Sequence, residues 1–183
     1  MTGSRKIIVL IATSADGFIA RSDGSVDWLD RPAPKGHYGM VAFYKSIDTI
    51  LWGRKTYEVA LDFQKKGVPG SAFDPKVKNY LFSRTPSLSP AAGVELVSES
   101  IKSFATKLRR KKGKNIWMMG GAGLIASFLD AGEIDQFKIH VIPVFIGEGI
   151  PLIAPGRRTV SLKLLASKKY SDGVLELHYA VQK

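Results

Sequence analysis

The chain contains no cysteine among its 183 residues. Disulfide staples, thiolate metal sites and cysteine nucleophiles are excluded together, and cysteine content says nothing of the redox compartment. Acidic residues are scarce: 16 Asp and Glu stand against 27 Lys and Arg, for a formal net charge of +11. Such an excess predicts attraction to an anion, and nucleic acid, membrane headgroups and phosphorylated small molecules all qualify. Long apolar runs are missing too, none approaching the roughly 18 residues needed to cross a bilayer. The run over residues 7–12 sits at the short limit for a signal peptide and Asp16 follows quickly. A buried first strand is therefore expected, with no membrane partner and a cytoplasmic location. Gly and Pro, 18 and 9 in number, are too few for a fibrous or low-complexity chain, while 45% hydrophobic residues are too many for a disordered one. At roughly 100–200 residues per domain, residues 1–183 are expected to form a single domain.

Short β-branched runs alternate with stretches of helical period. Residues 7–13 read as a strand buried on both faces, because their apolar character does not alternate. Residues 38–46 place Met40, Val41, Phe43 and Tyr44 on one helical face, residues 49–52 form the next strand, and residues 56–63 the next helix, with Tyr57, Ala60 and Leu61 inward. Further strands are predicted at 80–82, 94–97, 115–119 and 136–146, the last interrupted by Pro143. Helices are predicted from Ser98 to Lys112 and over 122–131. Strands at 162–170 and 174–182, joined by Ser171-Asp172-Gly173, complete a hairpin. The order β-α-β-α-β-β-α-β-α-β-β-β predicts an α/β fold, with a mostly parallel central sheet flanked by helices and a C-terminal antiparallel hairpin.

Two strand-to-helix junctions carry glycine. At Gly53-Arg54-Lys55-Thr56-Tyr57-Glu58 the unpaired N–H groups of a helix start meet two cations and a hydroxyl, which is phosphate-binding chemistry. The second junction is Met119-Gly120-Gly121-Ala122-Gly123-Leu124. Close helix–sheet packing also selects glycine, so either junction alone is weak evidence. Two in one small sheet point to an extended ligand with more than one phosphate across the carboxyl ends of the strands. Ser83-Arg84-Thr85 ends a further strand. Arg54, Lys55 and Arg84 together suit a terminal monophosphate such as the one separating NADP from NAD, the alternative being three solvated surface cations. The densest basic run, residues 107–114, holds no aromatic for base stacking, and cations in a last helical turn complement its dipole. Nucleic acid is not an expected partner.

Ser14-Ala15-Asp16-Gly17-Phe18-Ile19-Ala20, the two glycine junctions, and Pro143-Val144-Phe145-Ile146-Gly147-Glu148-Gly149 together resemble the dihydrofolate reductase-like superfamily. Within it the chain is most similar to the C-terminal reductase domain of RibD, the bifunctional riboflavin biosynthesis deaminase–reductase, and to its stand-alone relatives. The resemblance runs from Lys6 to Val181. It implies NADPH as cofactor and hydride transfer to a small heterocyclic or carbonyl substrate, which in the riboflavin enzymes is 5-amino-6-(5-phosphoribosylamino)uracil. It also implies that Gly53, Arg54, Lys55 and Thr56 meet the cofactor phosphates and that Ser83 and Arg84 flank the adenosine ribose and its extra phosphate. Gly120, Gly121, Ala122, Gly123 and Leu124 would lie along the pyrophosphate, and Thr13, Gly17 and Ile19 would border the nicotinamide. A homodimer is a further implication. Hydride chemistry belongs to the cofactor, leaving orientation, electrostatics and proton supply to the protein.

True dihydrofolate reductases place an acid on the helix before the first glycine junction, whereas residues 35–43 contain none. Dihydrofolate reduction is accordingly the first alternative, and a non-catalytic nucleotide- or nucleic-acid-binding module the second. Asp48 directly precedes a strand and reads as a turn or cap. Candidates for proton handling are Asp16, Asp27 and His140. Asp16 alternatively makes an Asx-type turn with Gly17. Asp27 precedes Trp28, whose ring covers a pocket or fills a core gap. His140, sharing a strand face with Lys138 and Ile142, either looks toward the nicotinamide or is a hydrogen-bonded core residue. No metal site is expected, and without the His/Cys zinc signature any deamination in riboflavin synthesis falls to another polypeptide.

Overall fold

Eight strands build the main sheet of this computed structural model, in which residues 5–32, 34, 36–67, 74–83 and 89–182 are described. The chain runs β1 (Ile7–Ser14), β2 (Phe18–Ala20), α1 (Met40–Lys45), β3 (Ile47–Gly53), α2 (Arg54–Lys65), β4 (Lys78–Phe82), β5 (Val94–Val97) and α3 (Ile101–Arg110). It continues through β6 (Asn115–Gly120), α4 (Ala122–Asp130), β7 (Gln136–Ile142), β8 (Ile150–Pro151), β9 (Leu162–Lys169) and β10 (Leu175–Val181). Sheet order is β5-β4-β3-β6-β1-β7-β10-β9. The strands from β5 to β7 are parallel, and β10 and β9 close the sheet antiparallel. This is the α/β architecture expected from the pattern of elements. Central β1 is covered on both faces, which explains its unbroken apolar sequence.

The two faces hold separate cores. Phe43 of α1 and Tyr57 of α2 pack with Leu10, Ile50, Trp52 and Trp117 on one face. Phe104 of α3 and Ile125 and Phe128 of α4 pack with Val9, Leu51 and Met118 on the other. The loop leaving β3 therefore turns to one face while the loop leaving its neighbour β6 turns to the other. That is a topological switch point, where a crevice opens beyond the carboxyl ends of parallel strands.

Local departures from the sequence pattern have physical causes. The helix expected from residue 38 begins at Met40, because His37 and Tyr38 take φ of 47° and 55° in a 3₁₀ turn between Gly36 and Gly39. Ser100, not Ser98, caps α3, its hydroxyl accepting the Ser103 N–H. The strand expected over 136–146 ends at Ile142, where Pro143 has no N–H to offer and Val144 N–H bonds back to the Ile142 carbonyl at 2.8 Å. Among the described residues, strands β2 and β8 pair only with each other, and they are too short for any periodicity to reveal.

Two residues of the basic run, Arg109 and Lys114, serve the opposite, amino-terminal edge of the sheet. Arg109 donates to the Arg5 carbonyl at 2.8 Å, to Asp135 at 2.7 Å and to the Glu133 carbonyl at 2.9 Å. Buried Arg5 binds Asp48, Thr49 and the Lys114 carbonyl. Asp48 does not precede the strand as a turn or cap: it is the second residue of β3, where it ties the strand to Arg5 and the Lys114 N–H, far from the crevice.

Candidate active site

The ends of β3 and β6 lie side by side, with Trp52 in register with Gly120. From them start α2, at Arg54, and α4, at Ala122. Their N-caps, Gly53 and Gly121, supply no side-chain cap, so the first-turn N–H groups of two helices face one crevice with their positive partial charge unanswered by side chains. The approach is close enough to favour glycine. A Cβ on Gly53 would stand 3.0 Å from the Gly120 carbonyl oxygen and 3.2 Å from the Gly121 nitrogen. A Cβ on Gly121 would stand 3.1 Å from Thr56 Oγ1 and 3.7 Å from Ile19 Cδ1. Gly53, Thr56, Gly120, Gly121 and Ile19, drawn from three segments of the chain, are thereby brought together. Beside them Gly123 faces open space.

The remaining candidate binding residues flank this centre. Arg54 is exposed and pairs with Glu58 at 3.3 Å, and Lys55 is exposed beside it. Ala122 is buried, its carbonyl accepting the Ala154 N–H at 3.2 Å, and Leu124 packs on the α4-side core. Ser83 stands half-buried just past the end of β4, while Arg84 lies outside the described residues. Thr13 is buried near the end of β1, and Gly17, in the loop that follows, donates to the Ser14 carbonyl and accepts from Leu152 N–H at 3.1 Å. The arrangement fits a dinucleotide: paired anion-binding helix starts, a cradle that a side chain would fill, and exposed cations at its rim.

The three candidate proton carriers have different surroundings. Asp16 accepts the N–H groups of Ile146 at 3.1 Å and Gly147 at 2.8 Å, joining the loop after β1 to the loop after β7. The Ser14 hydroxyl, with those backbone donors, holds its carboxyl below the usual range. The Gly17 N–H goes to Ser14, so the local turn is not of the Asx type. Asp27 is exposed in a 3₁₀ turn and makes two bonds to Arg21, at 2.6 and 3.0 Å, which lower its carboxyl too. The next residue, Trp28, keeps its indole Nε1 buried without a hydrogen-bond partner among the described residues.

His140 is 5% exposed, two residues before the end of β7, between Ala12 of β1 and Glu176 of β10. Its Nε2 lies 3.2 Å from Glu176 Oε2, and the Tyr170 hydroxyl donates to the same oxygen at 2.9 Å. Burial, reinforced by that carboxylate, pushes the Tyr170 hydroxyl up to about 12. Burial also works to raise the Glu176 carboxyl, but the bonds from Tyr170 and His140 outweigh it and leave the group below its ordinary value. Tyr38 completes the group, with ring centroids 5.7 Å from His140 and 5.1 Å from Tyr170 and its hydroxyl donating to Asp172 at 2.5 Å. Sequence reasoning named His140 but missed Tyr38, Tyr170 and Glu176. Tyr38 lies within residues 35–43, whose sequence stands out only for lacking an acid, and the other two lie in the C-terminal hairpin, where no motif marks them. Among the described residues, no three His, Asp or Glu side chains are placed to hold a metal ion, and no helix is long and apolar enough to cross a membrane.

The chain is similar over nearly its whole length to several known proteins. The uncharacterised YwjB of Bacillus subtilis (strain 168) is 38% identical over 175 residues, covering 96% of this chain and 97% of its own. A Shewanella sp. PV-4 protein, provisionally named for riboflavin biosynthesis, has a crystal structure that superposes with a TM-score of 0.83 at 28% identity, covering 97% of this chain and 99% of its own. Dihydrofolate reductase from Enterococcus faecalis, solved with NADP(H), shares the fold at a TM-score of 0.66 and 14% identity, with 97% of each chain covered. The fold is dihydrofolate reductase-like, and with residues 5–175 matching its pattern, the chain belongs to the RibD C-terminal domain family.

Proposed function

We propose that the protein is an NADPH-dependent reductase, residues 1–183 forming one reductase domain, that acts on a small carbonyl or heterocyclic substrate of the kind reduced in riboflavin synthesis. The observation that carries this reading is the meeting of two uncapped helix starts across Gly53 and Gly121, within a family that includes the RibD reductase domain. When bound, NADPH supplies the hydride. The chain's own groups do the rest. N–H groups at the starts of α2 and α4, with Thr56 and residues 120–124, hold the phosphates. Arg54 and Lys55, with Ser83 and Arg84, bind the ribose and its additional phosphate. Thr13, Gly17 and Ile19 border the nicotinamide, and the substrate meets it on the His140 side of β1. Of the three proton candidates, Asp16 and Asp27 are held ionised by their donors, which favours His140 as the group that moves a proton.

Titration with NADPH and NADH, followed by fluorescence of the reduced nicotinamide, tests the reading. Saturable NADPH binding is expected, with Arg54→Ala weakening NADPH roughly tenfold, as loss of one charge-assisted hydrogen bond would, and NADH much less. No saturable signal from folded protein, or equal losses for both cofactors, would overturn it. A homodimer is part of the proposal. It is supported by β9, which ends the sheet with every residue exposed and presents Leu162, Leu164 and Leu165 to solvent.

A further inference from the structure

We propose that Glu176 is a positioning residue that holds His140 as an imidazolium, with Nε2–H committed to the carboxylate and Nδ1–H left to donate to a substrate oxygen or nitrogen. The chemistry rests on the reductase reading, whereas the arrangement itself belongs to the free protein. Glu176 Oε2 receives both the imidazole and the Tyr170 hydroxyl, so the carboxylate is fixed in direction by two donors. His140 Nδ1 makes no hydrogen bond among the described residues. A neutral imidazole donating from Nε2 would present only a lone pair there, but an imidazolium presents a proton. The Glu176 carboxylate in contact with the ring acts in favour of the charged form and burial acts against it, so the proposal rests on the two-donor geometry at Glu176.

Titratable and charged groups approach His140 from several elements. Strand β10 contributes Glu176, with His178 two residues along. From the end of β9 come Tyr170 and Lys168, whose ammonium lies 4.7 Å over the Tyr170 ring. The turn before α1 contributes Tyr38, backed by Asp172 and Arg31. Lys138 stands two residues away on β7 itself, and β1 presents uncharged Ala12. Among the described residues, Glu176 is the one carboxylate bonded to the ring. Bound NADPH would supply the hydride that forms the new C–H bond of a C=O or C=N group. The displaced π pair takes the proton from Nδ1, giving alcohol or amine, oxidised nicotinamide and neutral imidazole, which solvent reprotonates. A substrate with its acceptor oxygen or nitrogen on the reduced carbon is therefore selected.

Imidazole NMR of the free protein tests the assignment, with the three histidines distinguished by His140→Gln. The His140 titration midpoint is expected to fall by about one unit or more in Glu176→Gln, a roughly tenfold or greater loss of proton affinity. It is expected to rise in Tyr170→Phe, where the carboxylate loses a competing donor. Opposite signs separate electrostatic positioning from a merely structural role. In turnover, the fall of kcat with rising pH should move to lower pH in Glu176→Gln, with substrate KM little changed. Unmoved midpoints, or shifts of one sign in both variants, overturn the proposal even if NADPH binds. Shifted midpoints without NADPH binding would instead retain the positioning role and overturn the reductase reading.

Discussion

The carboxylate of Asp16 accepts the backbone N–H of Gly147 at 2.8 Å across 131 residues of sequence. With the Ile146 bond, it fastens the loop after β1 to the loop after β7 beside the carboxyl edge of the sheet. Because these donors and Ser14 lower its carboxyl in the folded state, the stabilisation is present above the ordinary aspartate range and is lost as pH falls through the lowered value. Asp16→Ala should therefore lower Tm at pH 7, and the difference from the parent should shrink in acid. A Tm difference that persists unchanged below pH ~3, under the unfolded aspartate value of about 3.9, would remove the carboxylate from this role.

The glycine cradle separates packing from binding. A Cβ on Gly53 meets backbone at 3.0 Å, which cannot give way as a side chain can. Gly53→Ala is thus expected to destabilise by about 1–3 kcal/mol and to weaken NADPH. Gly123 has nothing within 4 Å and lies in the first turn of α4. Gly123→Ala should leave stability equal or raise it by up to about 1 kcal/mol, from helix propensity, yet still weaken NADPH by crowding the pyrophosphate. Chemical denaturation and nicotinamide titration on both variants check the pair, and unchanged affinity in Gly123→Ala would take the ligand off this turn.

How much of this was legible in the sequence follows from the range over which each feature is determined. β1 is readable because burial on both faces makes its own composition apolar, and the starts of α2 and α4 because their glycines sit within a few residues of a strand. The start of α1 was not, since His37 and Tyr38 adopt left-handed backbone that no local propensity favours. Asp16 was identified as a candidate, but its partners lie in a loop more than a hundred residues away. The Glu176 contact to His140 depends on the β7–β10 register, which sets Glu176 opposite His140. A one-residue slip would turn the carboxylate to the other face.

Trp28 offers a test independent of the phosphates. A buried indole N–H with no partner carries a desolvation penalty of about 1–3 kcal/mol. Trp28→Phe removes that donor while keeping an aromatic ring, so stability should be retained or improved. If the N–H is kept to meet a bound ligand, the same change should raise substrate KM several-fold. A loss of stability with unchanged KM would make Trp28 a packing residue alone.

The outermost strand supports the last prediction. Leu162, Leu164 and Leu165 on β9 are 42%, 52% and 46% exposed, and Leu175 at the start of β10 is 42% exposed. Strand β9 ends the sheet, so it presents backbone N–H and C=O groups beside this apolar patch, a combination that isolated proteins blunt with charge or cover. Lys163, Lys168 and Lys169 supply some charge, but the leucines between them remain. If a second copy covers the strand, Leu164→Lys should shift the protein from dimer to monomer by light scattering after size exclusion, with the NADPH site intact. A parent protein that is monomeric at the concentrations used for turnover would leave β9 as a bare edge and set aside the homodimer.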